Sequence, residues 1–165
     1  MIRLVPATVE LLDAALAGDE PLARALGCSV VPGWATFRDS LPRVRATVAA
    51  APTGSPWGPR LFVAGEPPEL VGWGGFKGAP RDGAVELGYE IAASRRRRGL
   101  ATAAVRAMVA EAAGEQGVRA VIAHTLAERN ASNRLLEKTG FRFDGERREG
   151  GTTVWRFALA LPSAD

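Results

Sequence analysis

One stretch constrains the fold of this chain more than any other: Ser94-Arg95-Arg96-Arg97-Arg98-Gly99-Leu100-Ala101-Thr102. Ahead of it, residues 84–92 alternate. Val85, Leu87, Tyr89 and Ile91 share one face, and Glu86, Gly88 and Glu90 share the other, which is the period of a strand. Behind it, Leu100, Ala101, Ala104, Val105, Met108, Val109 and Ala112 recur at helical spacing, in a helix that runs to about Gln116 and stops at Gly117. Most of that face is small, so the helix can lie close to a sheet. Residues 119–125 then read as a second, apolar strand. A strand, a helix and a strand of these lengths imply a parallel pair joined by a right-handed crossover. The basic turn therefore sits on a helix N-terminus, where free backbone N–H groups and the positive end of the dipole favour an anion, phosphate above all. Gly99 lets a ligand approach the backbone without a Cβ in the way. The turn is not a Walker loop, because no Gly-Lys-Ser/Thr follows, and it lacks the later glycines of a dinucleotide fingerprint.

The remainder of the chain builds around this unit. Residues 2–6 predict a first strand, stopped by Pro6. Thr8 is placed to cap a helix bearing Val9, Leu12, Ala15 and Leu16, which Gly18 ends. Residues 20–26 predict a short helix, and residues 27–34, with Pro32-Gly33, a loop. A further helix starts near Pro42, carries Leu41, Val44 and Val48, and fades at Ala51-Pro52. Residues 53–59 are a Pro-, Gly- and Ser-rich loop. Residues 61–64 and 70–76 predict a hairpin around Glu66-Pro67-Pro68-Glu69. Beyond the central unit, Asn130 is placed to cap a helix over 131–139 that Gly140 closes. Residues 141–148 and 152–161 form a last hairpin around Gly150-Gly151. The result is a mixed α/β sheet with helices on both faces and one parallel pair between antiparallel halves.

A length of 165 residues suits a single domain over residues 1–165. No apolar run approaches the roughly 20 residues that span a bilayer. The opening Met1-Ile2-Arg3-Leu4-Val5-Pro6 lacks the apolar core of a signal peptide, so a cytoplasmic protein without membrane partners is expected. The lone Cys28 makes no internal disulfide and reads as a small, half-buried apolar residue. One His and one Cys argue against zinc, and no metal is expected. The net charge of +3 is mild, with a pI near 9.7, and Arg95 to Arg98 concentrate it. A focused positive field suits a polyanionic small ligand better than a nucleic-acid track. No aromatics interleave the basic run, which further disfavours nucleic acid. Taken alone, the run reads equally well as solvated surface.

Three features together resemble the GNAT superfamily of acyl-CoA-dependent N-acetyltransferases. Arg96-Arg97-Arg98-Gly99-Leu100-Ala101 matches the family's pyrophosphate-loop pattern, and Glu86-Leu87-Gly88-Tyr89 precedes it on the expected strand. Asn130-Ala131-Ser132, with Glu137-Lys138-Thr139-Gly140-Phe141, is similar to the ending of the branch that includes ribosomal-protein N-terminal acetyltransferases. The correspondence covers roughly residues 60–160. It implies a GNAT-like, mostly antiparallel sheet of six or seven strands with one splayed parallel pair. It implies acetyl-CoA as donor and a primary amine as acceptor, either a protein N-terminus or a small molecule, and leaves a homodimer open. The pantetheine arm would pair with backbone near Glu90, Ile91 and Ala92. The pyrophosphate would rest on the N–H groups of Arg96, Arg97, Arg98, Gly99, Leu100, Ala101 and Thr102. Asn130 and Ser132 match positions near the thioester.

Amine acetylation needs a proton acceptor, a donor for the developing oxyanion and a fate for the thiolate. Glu86 matches the family's base position, against the plain alternative of a surface charge. Glu90 lies four residues along, roughly 13 Å by strand rise, too far for a paired-carboxylate site. A backbone N–H near Ile91 is placed for the oxyanion. The tyrosine that many relatives use as acid is replaced here by Leu135-Leu136, which leaves Ser132, while a thiol pKa near 8.5 makes unaided departure feasible. Tyr89 is read as a packing residue, and His124, at the end of a buried strand, as a hydrogen-bonded structural residue. Trp34 and Trp57 are candidate walls of an acceptor pocket, with the core as the alternative place for either. Two other readings compete: a catalytically silent acyl-CoA-binding regulatory module, and a nucleic-acid-binding domain using the arginine run.

Overall fold

In the computed structural model, residues 1–36 and 38–162 are described. The elements follow the order β1 (Ile2–Pro6), α1 (Val9–Ala17), α2 (Asp19–Leu26), β2 (Ser29–Val30), α3 (Leu41–Ala50), β3 (Pro59–Ala64), β4 (Glu69–Phe76), β5 (Ala84–Ile91), α4 (Leu100–Ala113), β6 (Ala120–Leu126), α5 (Ala131–Lys138), β7 (Arg142–Glu149) and β8 (Thr152–Ala160). The hydrogen-bonded strand order is β1-β3-β4-β5-β6-β8-β7, with β2 pairing β4 off that path. The ladder is mostly antiparallel, and β5 and β6 are the parallel pair that the crossover predicts.

The chain folds as two compact units: residues 1–75 with 89–104, and residues 76–88 with 105–165. In the first, α1, α2 and α3 accompany β1, β3 and β4. Their apolar stripes supply Leu12, Ala15, Leu22 and Leu41, which join Leu61, Val63 and Leu70 of the strands in one core. Thr8 caps α1 by accepting from Leu11 N (3.2 Å), as its position predicts. Trp34 belongs to this core and is fully buried, so it is not a wall of an acceptor pocket. Its ring packs edge-on against Trp73 (centroids 5.8 Å apart) and its Nε1 donates to Asp19 (3.2 Å). Trp57 stays half-buried in the 53–59 loop, where the buried guanidinium of Arg60 donates to the Pro56 (2.8 Å) and Gly58 (3.0 Å) carbonyls.

The stretch 27–34, expected to be a loop, contains β2. Ser29 and Val30 pair in parallel with Glu69 and Leu70, and Val31 N donates to Leu70 O (3.0 Å). A two-residue strand has no readable period, so its pairing was hidden in the sequence.

In the second unit, Val121, Ala123 and Thr125 of β6 point to the buried side, and Ile122 and His124 to the other. Val105, Met108 and Ala112 of α4 are fully buried here, as is Ala104 in the first unit, which is the face expected of that helix. The parallel ladder pairs Ala84, Val85 and Glu86 with Ala120, Val121 and Ile122, and stops there. Both strands continue, β5 to Ile91 and β6 to Leu126. The parallel pairing is thus confined to the first three residues of each strand.

Candidate active site

The first unit contains the basic turn. Strand β5 ends as Ala92 N donates to Val71 O (2.8 Å). A single 3-10 turn, Ala93–Arg95, follows, closed by Arg95 N to Ala92 O (2.8 Å). Arg95 then forms a two-point pair with Glu69, Nε to Oε2 and Nη2 to Oε1, both 2.9 Å. This contact anchors the turn to the start of β4 and commits Arg95 to structure. The same guanidinium holds the Glu69 carboxyl below the usual carboxylate range. Arg96 Nε reaches back to the Ile91 carbonyl (3.2 Å).

Arg97 and Gly99 both adopt positive φ, +63° and +75°. The pair of left-handed residues turns the chain into α4, whose first closing bond is Ala103 N to Gly99 O (3.0 Å). Leu100, Ala101 and Thr102 thus head the helix as its free donors. A Cβ at Gly99 would meet no atom within 4 Å, so the backbone there faces open space. Arg96, Arg97 and Arg98 are all exposed. Upstream, Ala92 spends its N–H on β4, and successive residues of a ladder point to opposite edges, so the Ile91 N–H faces away from β4. Glu90, on the same strand, is not a site carboxylate: its Oε1 accepts from Trp73 Nε1 (2.6 Å) and from Thr36 N (2.8 Å).

The second unit contains the titratable cluster. Glu86 and Ile122 are register partners, so His124, two residues further along the same face, reaches the Glu86 carboxylate: His124 Nδ1 lies 2.8 Å from Oε1. Lys77 Nζ lies 3.0 Å from the same oxygen, and Glu149 Oε1 lies 3.6 Å from His124 Nδ1. Burial raises the Glu86 pKa, but the hydrogen bonds from His124 and Lys77 outweigh it and hold the carboxyl below its ordinary value. His124 is hydrogen-bonded, as expected of it; the partner, Glu86, was not anticipated. No spacing in the sequence reveals this contact, because it depends on which residues pair across β5 and β6.

Glu86, His124 and Glu149 also bring potential metal-ligand atoms within 4.8 Å of one another. Lys77 already supplies a positive charge to Glu86 Oε1 (3.0 Å).

At the start of α5, Asn130 caps the helix. Its side chain accepts from Asn133 N (3.0 Å), and Asn133 returns the bond by accepting from Asn130 N (3.1 Å). Asn133 is fully buried and also donates to Glu128 O (2.6 Å). Asn130 thus has the capping role read for it, and its Oδ1 is engaged. Ser132 is half-buried in the first turn. Leu136, on the same helix, is buried.

A mostly antiparallel sheet, a parallel crossover pair and a helix opened by a basic glycine turn agree with an acetyltransferase fold. The acetyltransferase (GNAT) domain family matches residues 2–142, and the chain belongs to that family. It is 27% identical over 143 residues, covering 85% of each chain, to the uncharacterized N-acetyltransferase YjdG of Bacillus subtilis (strain 168). The fold is similar to that of a putative GnaT-family acetyltransferase from Bordetella pertussis (TM-score 0.69, 20% identity, 95% of this chain and 94% of that one). It is also similar to a point mutant of spermidine N-acetyltransferase SpeG from Vibrio cholerae (TM-score 0.63, 16% identity, 97% and 94% covered). The activity class is acetyl transfer.

Proposed function

We propose that this protein, as one catalytic domain over residues 1–165, moves an acetyl group from acetyl-CoA to a primary amine. The observation that carries the reading is the turn at 96–102: exposed arginines, an unobstructed Gly99 and the free amides of the α4 N-terminus in one place. Coenzyme A presents several phosphate charges, and this donor set fits them. Residues 96–102 bind the pyrophosphate through their N–H groups, with Arg96, Arg97 and Arg98 supplying charge. Ile91, whose N–H is directed away from β4, pairs with the pantetheine arm. Ala92 lends only its position, since its own N–H is engaged. Asn130, with Oδ1 in the cap, has its amide NH₂ left for the donor arm. Glu86 serves removal of the acceptor's proton, and Ser132 the thiolate's reprotonation.

The acceptor is an amine of a protein N-terminus or a small molecule. A polyamine falls in this class, as the name of the Vibrio neighbour suggests. The test is the thermal midpoint with and without acetyl-CoA. A ligand near 100 Kd stabilises by about 2.7 kcal/mol, which for a chain of this size is roughly 5–10 °C. Gly99→Val removes the shift, whatever it does to the baseline. A wild-type midpoint unmoved by acetyl-CoA would overturn the reading. An amine panel with thiol detection then identifies the acceptor.

A further inference from the structure

We infer that His124 is the group that takes the acceptor's proton, with Glu86 as the positioning residue that holds its ring. The inference rests on the reading of the chain as an acetyl-CoA-dependent amine acetyltransferase and names the base within it.

Geometry comes first. The imidazole's Nδ1 lies 2.8 Å from Glu86 Oε1 and 3.6 Å from Glu149 Oε1. Two carboxylates on one ring nitrogen favour a proton there, so the neutral ring is the Nδ1–H tautomer. That leaves Nε2 with its lone pair. Nε2 makes no hydrogen bond to any described residue, and the side chain is 12% exposed. A carboxylate that donates no proton but fixes a histidine's tautomer and steadies its cation is how such pairs work in acyl transfer.

Glu86 by itself is poorly suited to the role. Its Oε1 already accepts from Lys77 and faces His124, contacts that hold its proton affinity down. The groups facing the imidazole are Glu86 from β5, Lys77 from the turn before it, Glu149 from β7 and Arg156, its cross-strand partner on β8. Lys77 is paired with Glu86 (3.0 Å), and Arg156 Nε lies 3.0 Å from Asp144 Oδ2, so both cations have their own counter-charge. The imidazolium formed on Nε2 protonation is then stabilised by the two carboxylates on Nδ1.

The acceptor, as an ammonium, transfers one proton to His124 Nε2, and the N–H bonding pair becomes the nitrogen lone pair. The C–N bond forms at the acyl carbon as C–S breaks, and the sulfur leaves with its bonding pair. The second nitrogen proton ends on sulfur as S–H. His124 returns its proton to solvent.

His124 is the only histidine in the chain, so its ring nitrogens can be read directly. Long-range ¹H–¹⁵N NMR of the wild type at neutral pH is expected to show a protonated Nδ1 and a bare Nε2. In Glu86→Gln the ring nitrogen Nδ1 loses its carboxylate partner, and the Nδ1–H tautomer is expected to lose its dominance. His124→Asn lowers turnover by about 10²–10⁴-fold at neutral pH, with acetyl-CoA protection retained. In His124→Ala, added imidazole restores part of the rate. An Nε2–H tautomer overturns the inference. So does His124→Asn turning over within about threefold of the wild type, far outside the usual loss of a base. Absent acetyl-CoA protection in the wild type tells against the donor reading instead, because the tautomer measurement needs no donor.

Discussion

At Gly72, β4 and β5 approach closer than a side chain permits. A Cβ there would lie 2.1 Å from Glu90 O and 3.0 Å from Ile91 Cα, and both obstacles are backbone. Gly72→Ala therefore destabilises by at least about 1–3 kcal/mol, the usual range for overpacking, read from the urea midpoint. Because the strand that must move carries Ile91, acetyl-CoA protection should weaken with it. At Glu86 the sign of a pH effect follows from the lowered folded-state pKa. Such a carboxylate contributes stability above its unfolded pKa, about 4.3, and loses it as pH falls through the folded value. Between about pH 5 and about pH 3 the wild type should lose more stability than Glu86→Gln. Equal slopes in urea melts across that window would contradict the assignment.

At the scale of elements, α5 depends on its first turn. Asn130 was readable as a cap from its place before Ala131-Ser132. The reciprocal bond from Asn133 was not, since a buried asparagine in a first turn looks like any polar residue. Yet Asn133 satisfies both Asn130 N and the Glu128 carbonyl from a fully buried position. Its replacement by Ala removes both of these bonds, each contributing about 0.5–1.5 kcal/mol, and empties a fully buried position. Asn130→Ala loses only a cap, about 0.5–2 kcal/mol. Equilibrium unfolding of the two variants should rank Asn133→Ala as the more damaging. The basic turn shows a similar division. Its place between strand and helix is plain in the sequence, but the division of its arginines is not. Arg95 is bound to Glu69 and Arg96 to the Ile91 carbonyl, while Arg97 and Arg98 form no side-chain hydrogen bond to a described residue.

For the whole molecule, charge decides between partners. The net charge is +3, and the run Arg95 to Arg98 concentrates positive charge on one turn, so the expectation is a small polyanion rather than a nucleic-acid backbone. At about 0.15 M salt, where the Debye length is about 8 Å, duplex DNA should leave the thermal midpoint unmoved while acetyl-CoA raises it. No helix among the described residues is long and apolar enough to cross a membrane, in line with the absence of such a run in the sequence. Amphipathic period, capping residues and turn residues act over a few neighbours, so the main helices and strands, the β5-α4-β6 crossover and the basic turn are legible from residue order alone. Register acts over distance. A shift of one residue in the β5–β6 ladder would turn His124 to the opposite face and away from Glu86, and nothing local to either strand forbids it. The pairing of Ser29 and Val30 with β4 and the burial of Trp34 were likewise settled by which surfaces meet. That a glutamate and a histidine stand on these two strands is a matter of sequence; that they meet is a matter of register, which only the folded sheet sets.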